Sequence, residues 1–549
     1  MTQSPYEPVQ PSPTPDPAPV PPATPVPDPA PVPPAPPVPD PAPVPPAPPR
    51  PAPPAPDPAP VPPTPPAPDP VPVPPTPPAP APVPAPKLPL RHSRTIQGNV
   101  LAAFNKDHQA FRLVTLPSDV GQAREWLAGV VSDVAVTEDV EDWNVAFSTA
   151  RKANGGNDPE DMHTVWVGLS LTAAGVRHLA ADSTALDQDL AGFTSLVQGP
   201  ATQADRLGDS GQSAPAGWLF GQPAGPVVHA IVIVAADLPV GLAGKQQSLD
   251  LLDSTHGATI VFTQDGEALP GALKGHEHFG FKDGMSQPGV IGFHDSDPNS
   301  GDRLDHPGTK MVQPGEFVFG QPTTSGTPRP APAWLADGSL HVMRRLEQDV
   351  PGWRAQLANL APQTTPATTP ERLAELWMGR KTDGRPLALP TNPTLGHGQD
   401  NNAFDFAQDA SGAVTPCPAH IRKTNPRAGA PTGPRLMRRG IAFGRPIDAD
   451  GYAPGEPRGL AFHCYVTSLE AQFEFIQQSW VNNAGFPGSG PTGPDPVIGT
   501  AGDVQLAVTG GPTGTLPTQR FVTTKGALYA LTLSIPTLRS LAAGTPLPR

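Results

Sequence analysis

The amino-acid sequence predicts an α+β protein carrying a long tail that has no fold of its own. Three observations lead there. Between residues 91 and 270 the hydrophobic periods alternate between strand and helix in the order β-α-β-β-α-β, the order of a ferredoxin-like unit. Between 271 and 549 a second mixture of strand-like and helix-like segments follows, consistent with another α+β unit of the same kind. The 86 prolines of the 549-residue chain are concentrated toward its start, which makes residues 1–90 a low-complexity tract. The expected division is a tail over 1–90, an N-terminal domain over 91–270 and a C-terminal domain over 271–549.

The tail repeats Pro-Asp-Pro-Ala-Pro-Val-Pro-Pro loosely, with Asp16, Asp28 and Asp40 twelve positions apart and Asp57 and Asp69 resuming the spacing. Proline locks φ and removes the N–H donor, so neither helix nor sheet propagates and polyproline II is favoured locally. A disordered tether is expected, or a docking segment for a proline-binding protein partner.

Order is expected to begin near Arg94-Thr95-Ile96. Phe111–Leu116 reads as a strand, and Ser118–Ser132, with Val120, Trp126, Leu127 and Val130, as a helix. Trp143–Ser148 and Thr164–Leu171 read as strands, after which Thr172 caps a helix to about Ala181. Val228–Ala235 is a β-branched strand, Gly241–Ser254 a helix and Ala258–Thr263 a strand, with a long insertion between Asp182 and Pro226. In the second half Glu316–Gly320, Leu340–Leu346, Arg439–Phe443, Gly459–Thr467 and Ala527–Ser534 are strand-like. Val350–Ala361, Pro370–Met378 and Leu469–Trp480 are helix-like. The segments Leu389–Pro416 and Gly485–Leu516, rich in Gly, Pro, Asn and Asp, are loops too long for joinery alone.

A net charge of −14 without a basic stripe argues against a nucleic-acid partner. Cys417 and Cys464, the two cysteines, form no CxxC, no CxxCH and no zinc-type set, and read as thiols in a reducing compartment. There is no basic and apolar leader, no twin-arginine pair before a hydrophobic run, and no stretch near the ~20 apolar residues of a membrane helix. A cytoplasmic protein off the membrane is expected.

Two stretches carry chemistry. In Glu277-His278-Phe279-Gly280-Phe281-Lys282-Asp283-Gly284, one carboxylate sits between glycines, where the backbone turns sharply and lies close against a ligand. The second stretch is Cys417-Pro418-Ala419-His420-Ile421-Arg422-Lys423-Thr424-Asn425-Pro426-Arg427, followed by Leu436-Met437-Arg438-Arg439-Gly440-Ile441-Ala442-Phe443-Gly444. Together they resemble the signature of the dye-decolourising peroxidases, haem peroxidases built on ferredoxin-like domains. Pro314-Gly315-Glu316-Phe317 and Gln472-Phe473-Glu474-Phe475-Ile476-Gln477 are similar to the longer-chain branch of that family, and the resemblance covers essentially everything after about Arg91.

The resemblance implies two ferredoxin-like domains of the dimeric α+β barrel type. It implies a peroxidase that reduces hydrogen peroxide and oxidises dyes, phenols and other small aromatic one-electron donors through an oxoferryl intermediate. One non-covalent haem b per chain would be held by His420 as axial ligand, with Asp283 moving the peroxide proton and Arg438 supplying positive charge; Arg439 is the second choice. These residue types suit the roles: imidazole is an iron ligand, guanidinium stays cationic, and a carboxylate shuttle predicts an acidic pH optimum. A metal-bound histidine also needs a partner for its other N–H. The matching segment, Tyr465–Glu470, offers Ser468 where an acid or amide is expected, with Glu470 two residues on. Arg380 resembles a haem-edge residue for the propionates, with Arg422 and Arg427 as alternatives, and Phe443 and Phe462 are candidates for the pocket wall.

The rival readings are a haem-binding or iron-releasing protein of the same fold, an interaction protein working through the proline tail, and a non-haem metal site at His276 and His278. Trp334, Trp353, Trp377 and Tyr452 are candidate electron relays if exposed. A homo-oligomer is compatible with all of these.

Overall fold

In the computed structural model the described residues are 88–294, 311–388, 402, 404–427, 433–447, 455–488 and 490–548. The proline-rich tail up to residue 87, Tyr452 and most of the 389–403 loop lie outside them.

The first half builds four antiparallel strands: β1 (His108–Thr115), β2 (Val165–Leu171), β3 (Ala230–Ala236) and β4 (Thr259–Glu267). Their spatial order, β4-β1-β3-β2, with the helices Val120–Asp133 and Pro239–His256 as crossovers, is the ferredoxin-like arrangement. The strand period sorts the core. Val232 and Val234 join Trp126, Leu127 and Val130 of the first crossover helix, while Ile231 and Ile233 join Phe111 and Leu113 in a second cluster.

The second half repeats the order. It contains β5 (Ser339–Gln348), the short β6 (Met437–Arg438) and β7 (Ile441–Phe443), β8 (Gly459–Val466) and β9 (Val522–Thr532). The order is β9-β5-β8, with β6 and β7 both on the outer edge of β8. One pairing, Leu171 with Leu531, joins β2 to β9 and makes a nine-stranded sheet. The sheet curls until β7 lies against β4. A Cβ at Gly266 would run into the Ile441 side chain and stand 3.1 Å from the Ala442 carbonyl oxygen, so the close approach favours glycine.

The helices end where local chemistry dictates. Thr369 caps Pro370–Met378 through its hydroxyl, Pro370 occupies the first turn, and Gly379 leaves it at φ 86°. Leu469–Glu474 and Ile476–Val481 are wound as a wide π-helix capped by Ser468.

Three expectations are corrected. The 485–516 segment is not loop throughout: Gly502–Ala507 pairs antiparallel with Thr513–Thr518. Trp143–Ser148 lies inside the helix Thr137–Ala153, not in a strand. Its first turn carries Glu138 and Asp139 and its last Arg151 and Lys152, matching the helix dipole, and its buried positions Thr137, Val140 and Glu141 follow helical spacing. Glu316–Gly320 is not a strand either: Pro314 starts a single 3-10 turn, and Phe317, Val318 and Phe319 are buried as core. A short apolar run does not by itself distinguish the two.

Candidate active site

The loop from Gly275 to Gly284 turns through Gly280 (φ 97°) and Gly284 (φ 73°) and is closed by the Asp283 N–H donating to the Gly275 carbonyl at 2.9 Å. Asp283 Oδ1 accepts the Gly284 N–H at 2.6 Å and an Nη1–H of Arg438 at 3.1 Å. Arg438 is the last residue of β6, pinned by Gln287, whose amide accepts its N–H at 3.3 Å and donates to its carbonyl at 3.0 Å. Its neighbour points elsewhere. Arg439 donates to the carbonyls of Asn99, Val100 and Leu101, and enclosure lowers its pKa to about 10, so it fastens the first described helix instead of facing the cavity.

His420 opens the short helix His420–Thr424. Its Nδ1 is hydrogen-bonded to Asp495 Oδ2 at 2.8 Å, while Asp495 Oδ1 accepts the N–H groups of Val497 (2.8 Å) and Ile498 (3.1 Å). Asp495 is buried, 1 % exposed, so its charge is directed into these bonds and not into water. Nε2 of His420 carries no protein partner among the described residues.

This brace corrects the expectation that Ser468 or Glu470 would orient the histidine. Ser468 accepts the Ala471 N–H as a helix cap, and Glu470 accepts the Ser195 N–H at 3.0 Å. Neither lines the cavity that His420 faces. Sequence reasoning missed Asp495; its one signal was its place in the over-long 485–516 loop, between two prolines.

Asp283, Arg438 and His420 all open onto one cavity of 310 Å³. Leu460, Phe462, Ile421, Val497 and Ile498 supply apolar wall, as suits a flat aromatic ligand. Phe462 is there as expected, whereas Phe443 is buried under the Arg345 guanidinium, 4.4 Å from its ring centre.

The cavity is also rich in guanidinium. Arg380 donates to Gly384 O, Ser286 Oγ and Asn402 Oδ1, and Arg427 donates to Asn402 O, Phe404 O and the same Ser286 Oγ. Burial, reinforced by the Arg438 charge, holds Arg380 down at about 10; burial, reinforced by Arg380 itself, holds Arg427 at about 9. Depression of that kind is what an anion placed between them would relieve. An aromatic macrocycle with acidic side arms therefore fits: an imidazole with a free Nε2, apolar walls and two neighbouring guanidinium groups. Arg422 does not belong to this set. It is buried behind the wall, donating to the carbonyls of Asp409, Ala410 and Thr415.

The other candidates resolve into structure. His276 Nδ1 contacts the Lys274 carbonyl while buried His278 contacts that of Phe443, and among the described residues no group of three His, Cys, Asp or Glu could hold a metal ion. Trp334, Trp353 and Trp377 are core residues, at most 2 % exposed, and so cannot receive electrons at the surface. Cys417 and Cys464 are buried and form no disulfide.

Ferredoxin-like halves curled into one barrel, and a histidine braced by an acid on the same cavity as a carboxylate–guanidinium couple, have the parts that a haem-dependent peroxidase requires. The family model described as Dyp-type peroxidase, C-terminal, matches residues 321–486. A dye-decolorizing peroxidase of Exidia glandulosa is 31% identical over 79% of this chain and 84% of its own length. The multifunctional dye peroxidase DyP2 of an Amycolatopsis species is 31% identical over 81% and 95%. Among solved structures, an ancestral D-type dye decolorizing peroxidase superposes with a TM-score of 0.67 at 30% identity, covering 82% of this chain and 99% of that one. The chain belongs to the dye-decolourising peroxidase family.

Proposed function

We propose that the chain binds one haem b non-covalently, whose iron His420 Nε2 would hold, and uses hydrogen peroxide to oxidise dyes, phenols and other small aromatic donors. The carrying observation is that braced His420 and the Asp283–Arg438 couple open onto one cavity. Non-covalent attachment is supported by the cysteines, neither of which lines that cavity. Arg380 and Arg427 would hold the propionates, and the bound haem supplies the redox chemistry.

Asp283 has Oδ1 engaged by Arg438 and Gly284, which leaves Oδ2 as the atom that would accept a proton from one peroxide oxygen and return it to the other. Arg438, fixed by Gln287, would stabilise the negative charge that develops as the O–O bond breaks; the protonated oxygen would leave as water, and taking up the other oxygen with the two electrons required is the chemistry the haem would supply. Asp495, as acceptor at Nδ1, would keep the His420 proton there and leave the Nε2 lone pair for the iron.

Asp283→Asn should lower kcat/KM for peroxide by about 10²–10⁴-fold and Arg438→Leu by about 10²–10³-fold, each with the Soret band retained. His420→Ala should lose that band. A normal spectrum and turnover in His420→Ala would overturn the ligand assignment, and haem that resists acid–acetone extraction would overturn non-covalent binding. The iron-releasing alternative is not favoured, since relatives matched along most of the chain are named peroxidases. A cytoplasmic setting is part of the proposal, supported by two buried cysteines outside any disulfide.

A further inference from the structure

The loop that carries Asp283 is closed by a second carboxylate to which the chemistry above gives no task. Glu277 lines the cavity. Its Oε1 accepts the Phe281 N–H at 2.9 Å, and its Oε2 accepts the Phe279 N–H at 2.8 Å and a Gln348 Nε2–H at 2.6 Å. Convergent donors of this kind hold an anion. The backbone repeats the closure, with the Glu277 N–H on Phe281 O at 3.0 Å and the Gly280 N–H on Glu277 O at 2.9 Å. Glu277 therefore ties the Phe279–Phe281 turn to Gln348 on β5, and the chain reaches Asp283 two residues beyond that turn.

The charged group acting on Glu277 is the Asp283 carboxylate, itself engaged by Arg438; no cation pairs with Glu277 among the described residues. Enclosure in the cavity wall outweighs the hydrogen bonds and pushes the carboxyl up to about 7. Glutamine would fill the same space, but it offers a single acceptor atom and would aim its NH₂ at one of the two backbone N–H groups. An ionised acid is the group that satisfies all three donors.

We infer that Glu277 is a positioning residue, whose ionised carboxylate clasps the Phe279–Phe281 turn to Gln348 and thereby sets where Asp283 stands beside Arg438. The inference rests on the reading of Asp283 as the proton carrier. Its test is a mutant cycle on the full-length, haem-loaded protein, following kcat/KM for hydrogen peroxide and hydrogen exchange of the 275–284 backbone.

Glu277→Gln should lower kcat/KM about tenfold with an unchanged Soret band, and should remove the change in kcat/KM that the unsubstituted protein shows as pH passes through about 7. In an Asp283→Asn background the same substitution should cost no more than about twofold, because the group it positions is gone. Exchange at Phe279 and Phe281, corrected for intrinsic rates, should be faster in Glu277→Gln than in the unsubstituted protein at about pH 8, and equal to it at about pH 5. Unchanged exchange and turnover in Glu277→Gln overturn the inference, as does a tenfold loss that persists in the Asp283→Asn background. Should Glu277→Gln fail to hold haem, Gln348→Leu, which removes one donor of the clasp, carries the same cycle. A full-length protein without peroxide turnover, or an Asp283→Asn variant with normal turnover, would instead strike the functional reading; the exchange measurements would still decide whether Glu277 is a clasp.

Discussion

Three hydrogen-bond donors meet on the buried carboxylate of Asp495: the backbone of Val497 and Ile498 on one oxygen and His420 on the other. Because the backbone bonds fix the carboxylate first, the imidazole is oriented by a rigid partner and gains basicity at Nε2. Asp495→Asn should keep the ring roughly in place while weakening haem affinity by about 10- to 100-fold, read by haem titration, with a rise in the reduction potential of the bound iron. An unchanged affinity and potential would show that the brace only packs. His420, Asp283 and Arg438 were legible in the sequence because each lies in a short local pattern. Asp495 was not, because it stands 75 residues from the ring it holds, in a loop without periodicity. Arg422 misled for the converse reason: it lies two residues from His420, yet it points into carbonyls behind the wall.

Strands and helices were legible wherever an apolar period ran long enough to be unambiguous, as in β3, with all seven residues buried, and Pro370–Met378. Trp143–Ser148 was misread because its aromatic and β-branched residues favour strands locally, while the acidic start and basic end of the helix lie outside that window. The junction of β4 with β7 could not be anticipated, since it depends on a missing side chain, not on a present one. Gly266→Val should therefore destabilise the fold by about 1–3 kcal/mol in a denaturant titration, since the added atoms would collide with the Ile441 side chain and crowd the Ala442 carbonyl. Loss below about 0.5 kcal/mol would mean that the edges can part freely.

The whole molecule answers to pH through groups that burial has moved. His229 and His278 are held down at about 4 and His341 at about 3, each chiefly by desolvation. Folded-state values below the ordinary 6.5 mean that the unfolded chain takes up these protons first. Their contribution to stability is complete above 6.5 and is lost as pH falls toward about 4 and 3. Glu277 acts in the opposite sense, since its carboxyl near 7 keeps a proton that the unfolded chain gives up until about 4.5. Burial also holds His463 down and raises the Glu474 carboxyl, so four histidines stand against two acids and the melting temperature should fall between about pH 7 and pH 5, followed by circular dichroism. A flat or rising curve would show that these histidines are wetter than the fold implies. The acidic optimum expected of the Asp283 shuttle is opposed both by a fold that weakens in acid and by loss of the ionised Glu277 clasp below about 7, which should confine useful turnover to an intermediate range.

The sheet closes on itself inside one polypeptide, through Leu171 with Leu531 on one side and Gly266 against Ala442 on the other. Where two such halves belong to separate chains, the barrel exists only as long as the chains stay associated, and dilution can take it apart. Here the halves are covalently tethered, so the haem-binding cavity should survive at any protein concentration, and whatever assembly the protein enters is free to serve some purpose other than completing it.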